Sequence, residues 1–323
     1  MKKNTMIWLV IAVCLILVGG TVFFFAMAAN HWNFRLLSSE KMETKTYEIT
    51  EEFGNISILT DTEDIEFCLS DDGKCKVVCV ENEKESHTAD VQDGTLTVRK
   101  IDSEKWFDHI SVFSFEDSKI TVYLPKTEYE SLFIEEDTGD ISIPKEFVFG
   151  SMDLNLSTGD VDSQASSRGL LRVKISTGDI SLRNLSAGEV DLTGTTGQIN
   201  IHTVTCEGSM GVALSTGKSE LTDVSCNSFS STGSTGDIIL KNVIVKENMS
   251  VDRSTGDVRF EKSDAGELTV ITDTGDVKGS LLTDKIFVTQ SDTGKVDVPE
   301  TVSGGKCKVT TDTGDIRIEI VNK

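Results

Sequence analysis

Asp-Thr-Gly, the tripeptide that carries the catalytic carboxylate of aspartic proteases, occurs four times in this sequence, beginning at Asp137, Asp273, Asp292 and Asp312. An aspartic protease needs two such carboxylates facing each other and sharing one proton. Related phrases in the same chain carry serine instead of aspartate, at Ser157, Ser176, Ser215, Ser234 and Ser254. We therefore interpret the tripeptide as a recurring turn and exclude a protease.

A second series of carboxylates follows the glycine of these phrases, at Asp140, Asp160, Asp179, Asp237, Asp257, Asp276 and Asp315. Stacked carboxylates about 5 Å apart repel one another, and calcium could bridge them. However, Gln198, Lys218 and Lys295 interrupt the series, and the glycine-rich nonapeptide calcium repeat is absent. We expect these aspartates to cap turns. The sequence predicts no catalytic, cofactor-binding or metal-binding residue and no cofactor.

The cysteines and histidines form no recognisable catalytic or zinc motif. The histidines, at His31, His87, His109 and His202, are scattered, and the cysteines follow no zinc-ligand spacing. Cys206 and Cys226 are one repeat apart, so they are expected in adjacent layers, either as a disulfide or as two small half-buried side chains. The chain is predicted not to be an enzyme, and a polysaccharide-active enzyme on a β-helix is the less favoured alternative.

The turn phrases recur with a nearly constant period. Their glycines lie 19 or 20 residues apart, at Gly139, Gly159, Gly178, Gly197, Gly217, Gly236, Gly256, Gly275, Gly294 and Gly314. Such a period is typical of a solenoid, in which each unit stacks on its neighbours to bury its apolar face. The sequence therefore predicts an all-β fold, a parallel β-solenoid (β-helix-like) of 19–20-residue, two-strand rungs. Right-handed coiling is the default for parallel crossovers.

Within a rung, apolar and polar residues alternate, as in a strand with one buried face. Leu171, Val173 and Ile175 alternate with polar residues before the turn. The same plan predicts that Ile286 and Val288, with Val296 and Val298, point inward. Other rungs that fit are Met152/Leu154/Leu156 with Val161, Val190/Leu192 with Ile199/Ile201, Val212/Leu214 with Leu221, and Val309 with Ile316/Ile318/Ile320.

The last rung, Val309 to Val321, is expected to leave the stack open. Its edge is interpreted as a docking edge for a partner strand, as the seam of an end-to-end homodimer, or as a plain edge kept monomeric by charge.

The N-terminal segment predicts a membrane anchor. Residues 6–29 are almost wholly apolar, and Lys2 and Lys3 precede them, so the N-terminus should be cytoplasmic and the remainder outside. A cleaved signal peptide remains the alternative, because Ala26-Met27-Ala28 resembles a cleavage site. The predicted organisation is a cytoplasmic N-terminus (1–5), a transmembrane helix (6–29), a stalk (30–45), irregular cap rungs (46–135) and the regular solenoid (136–323).

The region before the regular repeats contains the segment Lys105 to Phe115, rich in aromatic residues. It is interpreted as packing within the cap or as an aromatic contact patch. The net charge of −22 argues against nucleic-acid binding, and it either keeps the rod dispersed or supports weak binding of cations or basic envelope components.

The chain resembles the bacterial putative-adhesin, or toastrack-like, domains of unknown function, which include membrane-anchored LiaG-like proteins. The resemblance rests on Phe53-Gly54-Asn55-Ile56, on the strands Asp93 to Val98 and Lys119 to Pro125, and on the Thr-Gly-Asp repeats. It implies a single-pass protein of the bacterial cell membrane with an extracytoplasmic solenoid that serves as an adhesion or interaction scaffold. The predicted partners are the membrane, envelope proteins or cell-wall components. An accessory regulator that senses envelope stress is the alternative function.

Overall fold

The structure is a computed structural model that describes residues 3–29, 42–82, 86–101 and 118–321. These residues form one helix, α1 (Lys3–Ala29), and strands that join into one sheet. The strands of the N-terminal part are β1 (Met42–Ile49), β2 (Asn55–Thr60), β3 (Asp64–Leu69), β4 (Cys75–Asn82), β5 (His87–Gln92), β6 (Thr95–Lys100), β7 (Lys119–Leu124), β8 (Glu128–Thr138) and β9 (Ile141–Ile143).

The strands of the remaining chain include several long ones that turn corners of the coil. They are β10 (Val148–Thr158), β11 (Val161–Ser163), β12 (Ser166–Thr177), β13 (Ile180–Thr196), β14 (Ile199–Cys206), β15 (Ser209–Thr216), β16 (Ser219–Cys226), β17 (Ser228–Thr235), β18 (Ile238–Thr255), β19 (Val258–Thr274), β20 (Val277–Leu281), β21 (Lys285–Thr293), β22 (Val296–Asp297), β23 (Gly305–Thr313) and β24 (Ile316–Ile320).

The helix α1 is long and apolar enough to cross a membrane. Its segment Ala12–Ala29 has a mean hydropathy of 2.4, and 27 residues of α-helix extend about 40 Å. The side chains from Ala12 to Phe25 are exposed. The length and the apolar composition of α1 fit a membrane span, and they also fit a signal sequence.

The solenoid prediction is confirmed. Each coil pairs in parallel with the next one at a shift of one repeat, so that Leu154 lies beside Val173 and Val173 beside Leu192. These three side chains are fully buried, whereas Lys174 is exposed. Stacking equivalent positions therefore builds a continuous apolar interior from thin layers, none of which could bury its apolar face alone.

Five of the regular coils have a short third segment that the two-strand prediction did not include. A residue in the left-handed conformation bends the chain after the second strand, at Asn184, Thr203, Asp223, Asn242 and Lys262. Two inward-facing side chains follow each bend, such as Leu185 and Ala187 in β13. Asn and Asp tolerate positive φ better than other non-glycine residues, which explains three of the five positions but not Thr203 or Lys262.

The order of coils at the C-terminal end differs from the chain order, so the prediction that the last rung is the open end is wrong. The coil of β23 and β24 lies between the coil of β19 and β20 and the coil of β21 and β22. Val309 and Ile316 are consequently fully buried. The open end of the stack is the coil of β21 and β22.

The inward orientation predicted for Ile286 and Val288 is also wrong. In β21, Phe287 pairs with Cys307 and Thr289 pairs with Val309, and both partners point into the core. Phe287 therefore points inward and packs against the core. Because strand faces alternate, Ile286 and Val288 point outward, and their side chains are 45% and 50% exposed. Val296 keeps an inward position but is 44% exposed because its coil ends the stack.

The N-terminal end is also built out of chain order. The coil of β2 and β3 lies between that of β6 and β7 and that of β8 and β9. Antiparallel strands complete this end: β5 pairs with β6, β4 with β7, and β1 with β4. The aromatic segment Lys105 to Phe115 lies outside the described residues.

Candidate functional site

The Asp-Thr-Gly tripeptides lie at corners of the solenoid, on its outside. All four aspartates are exposed, and each belongs to the end of a strand that stacks in parallel on a neighbouring coil. The glycines that follow have φ angles near +155°, and a Cβ atom there would come within about 2.3 Å of backbone in the next coil. The recurring glycine is therefore required by close stacking.

The aspartates after these glycines form a ladder of hydrogen bonds. The backbone N–H of Asp160 donates to Asp140 Oδ1 at 2.7 Å, and that of Asp179 donates to Asp160 Oδ1 at 2.7 Å. The same bond joins Asp257 to Asp237 and Asp276 to Asp257. One oxygen of each carboxylate is thus used to satisfy a corner N–H, as predicted for turn-capping residues. Asp64, which the repeat pattern did not reveal, begins the ladder by accepting the N–H of Asp140.

Cys206 and Cys226 occupy equivalent positions in adjacent coils, on the short third segment. Both are buried free thiols. Burial raises the pKa of the Cys226 thiol to about 12 and also raises the pKa of Cys206. They pack as small core side chains.

A buried group of ionisable side chains lies inside the N-terminal end of the solenoid. We call it the N-terminal polar cluster and define it as Cys79, Glu81, His87 and Glu63. His87 Nδ1 lies 2.7 Å from Glu81 Oε2, and His87 Nε2 lies 3.2 Å from Glu63 Oε1. The side chains of Glu63, Glu81 and His87 are at most 1% exposed, and Cys79 is fully buried.

Neighbouring groups hold this cluster in place. Lys45 Nζ lies 2.5 Å from Glu81 Oε1, and Tyr47 donates its hydroxyl hydrogen bond to the carbonyl of His87. Glu63 accepts the backbone N–H groups of Asp61 and Thr62. Buried carboxylates are costly unless they are paired, and here Glu81 is paired with Lys45 and His87, and Glu63 is paired with His87.

The electrostatics of the cluster follow from this pairing. Burial opposes the charging of His87, but its hydrogen bonds to Glu63 and Glu81 raise the pKa of the imidazole above its ordinary value. Burial likewise opposes ionisation of Glu63, yet hydrogen bonds from His87 and backbone N–H groups lower the pKa of this carboxyl. Burial, together with Glu81 and Glu63, raises the pKa of Cys79 to about 12.

Glu136 adds a further carboxyl behind Glu63. It occupies an inward position beside Thr60, where the next coil has Leu156. Its oxygens accept the hydroxyl of Thr60 and the backbone N–H of Glu63. Burial raises the pKa of Glu136 to about 7.

Inspection of the sequence missed this cluster, although a signal for it existed. Cys75, Val77, Cys79 and Glu81 all face inward in β4, so Glu81 interrupts an apolar face. A charged residue at a position that the strand period assigns to the core indicates a buried polar partner or a site. Glu136 interrupts the apolar face of β8 in the same way.

The coil of β21 and β22 forms the uncovered end of the stack. Among the described residues, no strand pairs with the outer edge of β21, and Ile286 and Val288 project from the adjacent outward face. The loop after β22 carries Val302, which is 95% exposed. An unpaired strand edge that carries apolar side chains is a ready template for another strand.

Comparison with known proteins identifies the family. The family model Toastrack DUF4097 matches residues 53–225 and 207–323, which together make up most of the chain. The chain belongs to the Toastrack family. This confirms the resemblance drawn from the Thr-Gly-Asp repeats. Both ranges lie after α1, so the family assignment concerns the Toastrack solenoid, including the N-terminal polar cluster and the open end.

Several solved structures are similar to this Toastrack chain. A putative adhesin from Bacteroides fragilis is 16% identical, with 87% of this chain and 98% of that chain covered and a TM-score of 0.42. A putative adhesin from Parabacteroides merdae is 14% identical, with coverage of 86% and 96% and a TM-score of 0.48. A putative lipid binding protein from Parabacteroides distasonis is 16% identical, with coverage of 73% and 96% and a TM-score of 0.49. A search of curated proteins finds no significant match.

Proposed function

We propose that this protein is a non-catalytic scaffold of the bacterial cell envelope, anchored by α1, whose Toastrack solenoid lies outside the cytoplasm and docks partners at its open end. The apolar length of α1 supports the anchor. Lys2 and Lys3, at the start of the chain, support a cytoplasmic N-terminus, because positive charge favours the cytoplasmic side. The net charge of −22 disfavours nucleic acid as a partner.

The observation that carries the interaction role is the free edge of β21. This strand has nine residues, long enough to present a row of backbone donors and acceptors. In the ladder of parallel strands that ends at β21, every other strand from β8 onward pairs on both sides, namely β8, β10, β12, β13, β15, β17, β18, β19 and β23. A partner strand added to β21 would continue the solenoid by one layer.

The side chains of this edge suit a protein partner. Extended peptides supply main-chain hydrogen bonds and alternate side chains that contact Ile286 and Val288. A polysaccharide lacks the matching row of N–H and C=O groups. The proposed partner is therefore an envelope protein with an extended segment, and cell-wall polymers are a less suitable occupant.

Site-specific photo-cross-linking in intact cells tests this role. A photoreactive amino acid replaces Val288 at the open end. In a matched control it replaces Ile271, which is also an outward-facing β-branched apolar residue but lies in a coil with both edges paired. We expect a discrete cross-linked protein from position 288 and none from position 271. A cross-link to a second copy of the chain would identify a homodimer seam instead, and identical patterns from both positions would refute the docking end.

The anchor has a separate test. Protease added to intact cells should remove a tag placed after the C-terminus, because the solenoid follows α1 on the outer side. A tag that is degraded only after the cells are lysed would overturn the proposed orientation without affecting the docking end.

A further inference from the structure

We propose that the N-terminal polar cluster is a zinc site, with Cys79, Glu81 and His87 as its protein ligands. One ligand atom from each of these residues lies within 4.8 Å of the other two, and all three residues are buried. Among residues 3–29, 42–82, 86–101 and 118–321, no other three His, Cys, Asp or Glu side chains converge in this way. The site combines three donor types in a buried position.

The strands bring these donors together in a simple way. Cys79 and Glu81 are two residues apart on β4, so their side chains point to the same face. His87 begins β5, and its backbone N–H donates to Glu81 Oε2 at 2.8 Å, which fixes the imidazole beside that carboxylate. Tetrahedral zinc with bonds of about 2.0–2.3 Å places its ligand atoms about 3.3–3.8 Å apart. The three donor atoms, which lie within 4.8 Å of one another, would reach that spacing by small side-chain adjustments.

The surroundings resemble the outer shell of a metal site. His87 Nδ1 faces Glu81, so the metal would lie on this side of the ring, and Nε2 faces Glu63 at 3.2 Å. A histidine ligand that donates its other N–H to a carboxylate is the usual arrangement in zinc sites. Lys45 holds the second oxygen of Glu81 at 2.5 Å. Glu63 is in turn fixed by two backbone N–H groups.

The donor set points to zinc over other divalent cations. Calcium and magnesium prefer sites made entirely of oxygen, whereas a cysteine, a histidine and a carboxylate suit zinc. The three protein ligands leave the fourth tetrahedral position to a small oxygen ligand such as water.

Zinc would also join two parts of the N-terminal end, because β4 pairs with β1 and β7 whereas β5 pairs with β6. We therefore infer a structural role, in which the metal fastens the strands that close this end.

Metal analysis of the full-length protein in detergent tests the proposal. The protein is stripped with a chelator, incubated with zinc chloride, separated from free metal and measured by elemental mass spectrometry. We expect one zinc ion per chain and a melting temperature that rises with zinc but not with calcium or magnesium. Cys79→Ser and His87→Gln should each weaken binding at least 10-fold, given that outer-shell changes alone cost about 10–100-fold.

Cobalt supplies a readout that does not depend on stability. Cobalt bound through Cys79 should show a thiolate charge-transfer absorption band, which Cys79→Ser should abolish. The matched control is Cys226→Ser, which removes an equally buried thiol that lies outside the cluster and should leave zinc content and the cobalt band unchanged. Absence of stoichiometric zinc, or zinc content that Cys79→Ser and His87→Gln leave intact, would overturn the site. In that case hydrogen bonds and ion pairs alone hold the cluster together.

Discussion

The order of the last three coils can be tested with pairs of introduced cysteines. Ile271, Thr310 and Gln290 occupy the same outward position in β19, β23 and β21, in that spatial order. Adjacent strands lie about 4.8 Å apart, and strands separated by one coil lie about 9.6 Å apart. A disulfide needs Cα atoms about 4.4–6.8 Å apart. We therefore expect Ile271→Cys with Thr310→Cys to cross-link on oxidation, and Ile271→Cys with Gln290→Cys to remain reduced.

The cross-link between positions 271 and 310 should also stabilise the protein. It would close a loop of about 40 residues, for which the chain-entropy estimate is about 4 kcal/mol. Disulfide-linked peptides identified by mass spectrometry give the connectivity, and urea unfolding with and without reductant gives the stability. The native cysteines of the solenoid interfere little, because all of them except the half-buried Cys68 are buried.

The pair Thr310→Cys with Gln290→Cys serves as the positive control. These positions are adjacent in the structure, and they would also be adjacent if the coils stacked in chain order. Only the two pairs that include position 271 distinguish the order of coils in the structure from stacking in chain order. Efficient cross-linking between positions 271 and 290, without cross-linking between 271 and 310, would show that the coils stack in chain order and would return the open end to β23 and β24.

Three further predictions concern the regular coils. Val173→Asp should unfold neighbouring coils, because a fully buried position would receive an unpaired charge at a cost of several kcal/mol. Lys174→Asp, on the exposed face, should leave the melting temperature nearly unchanged. Equal losses of thermal stability in the two variants would contradict the assigned alternation. Asp257→Ala should lower the free energy of unfolding, measured in urea, by about 1.5–3 kcal/mol, because the backbone N–H of Asp276 loses a charged acceptor. Asp257→Asn should cost less, because its amide oxygen still accepts that hydrogen bond. If both changes leave the stability unchanged, the ladder has no stabilising role. Millimolar calcium should raise the melting temperature no more than magnesium does, and a calcium-specific rise that disappears when both Asp257 and Asp276 are changed to Asn would establish a metal-bridged ladder.

The regular part of the fold could be predicted from the sequence because its signals are local. The Thr-Gly-Asp period fixes the length of each coil, and the alternation around Val173 fixes which face is buried. The bend at Asn184 was recognised only as a polar loop, because a left-handed residue other than glycine has no strong signature. The third segment of these coils was therefore not predicted, although the repeat period did predict that Cys206 and Cys226 lie in adjacent coils.

The ends of the solenoid could not be predicted in the same way. A repeat period states how long a coil is but not which coil lies beside which, since the coils of β21 and β23 present similar pairing edges. The outward orientation of Ile286 depends on the register of β21 against β23, which local alternation cannot reveal when Phe287 is apolar as well. The N-terminal polar cluster combines residues from β4, β5 and the turn after β2, so its members converge only through tertiary structure.

At both ends of the solenoid the spatial order of the coils differs from their order in the chain, and this has a physical consequence. At each end a coil is inserted out of chain order: the coil of β2 and β3 at one end and the coil of β23 and β24 at the other are each hydrogen-bonded on both sides. Segments held by few contacts open most easily, and an inner position protects both of these coils. The exposed end is formed instead by β21 and β22, whose chain continues into the inner coils in both directions. A partner strand that adds to β21 would therefore join an edge tethered at both ends, which limits the entropy lost when that edge is ordered.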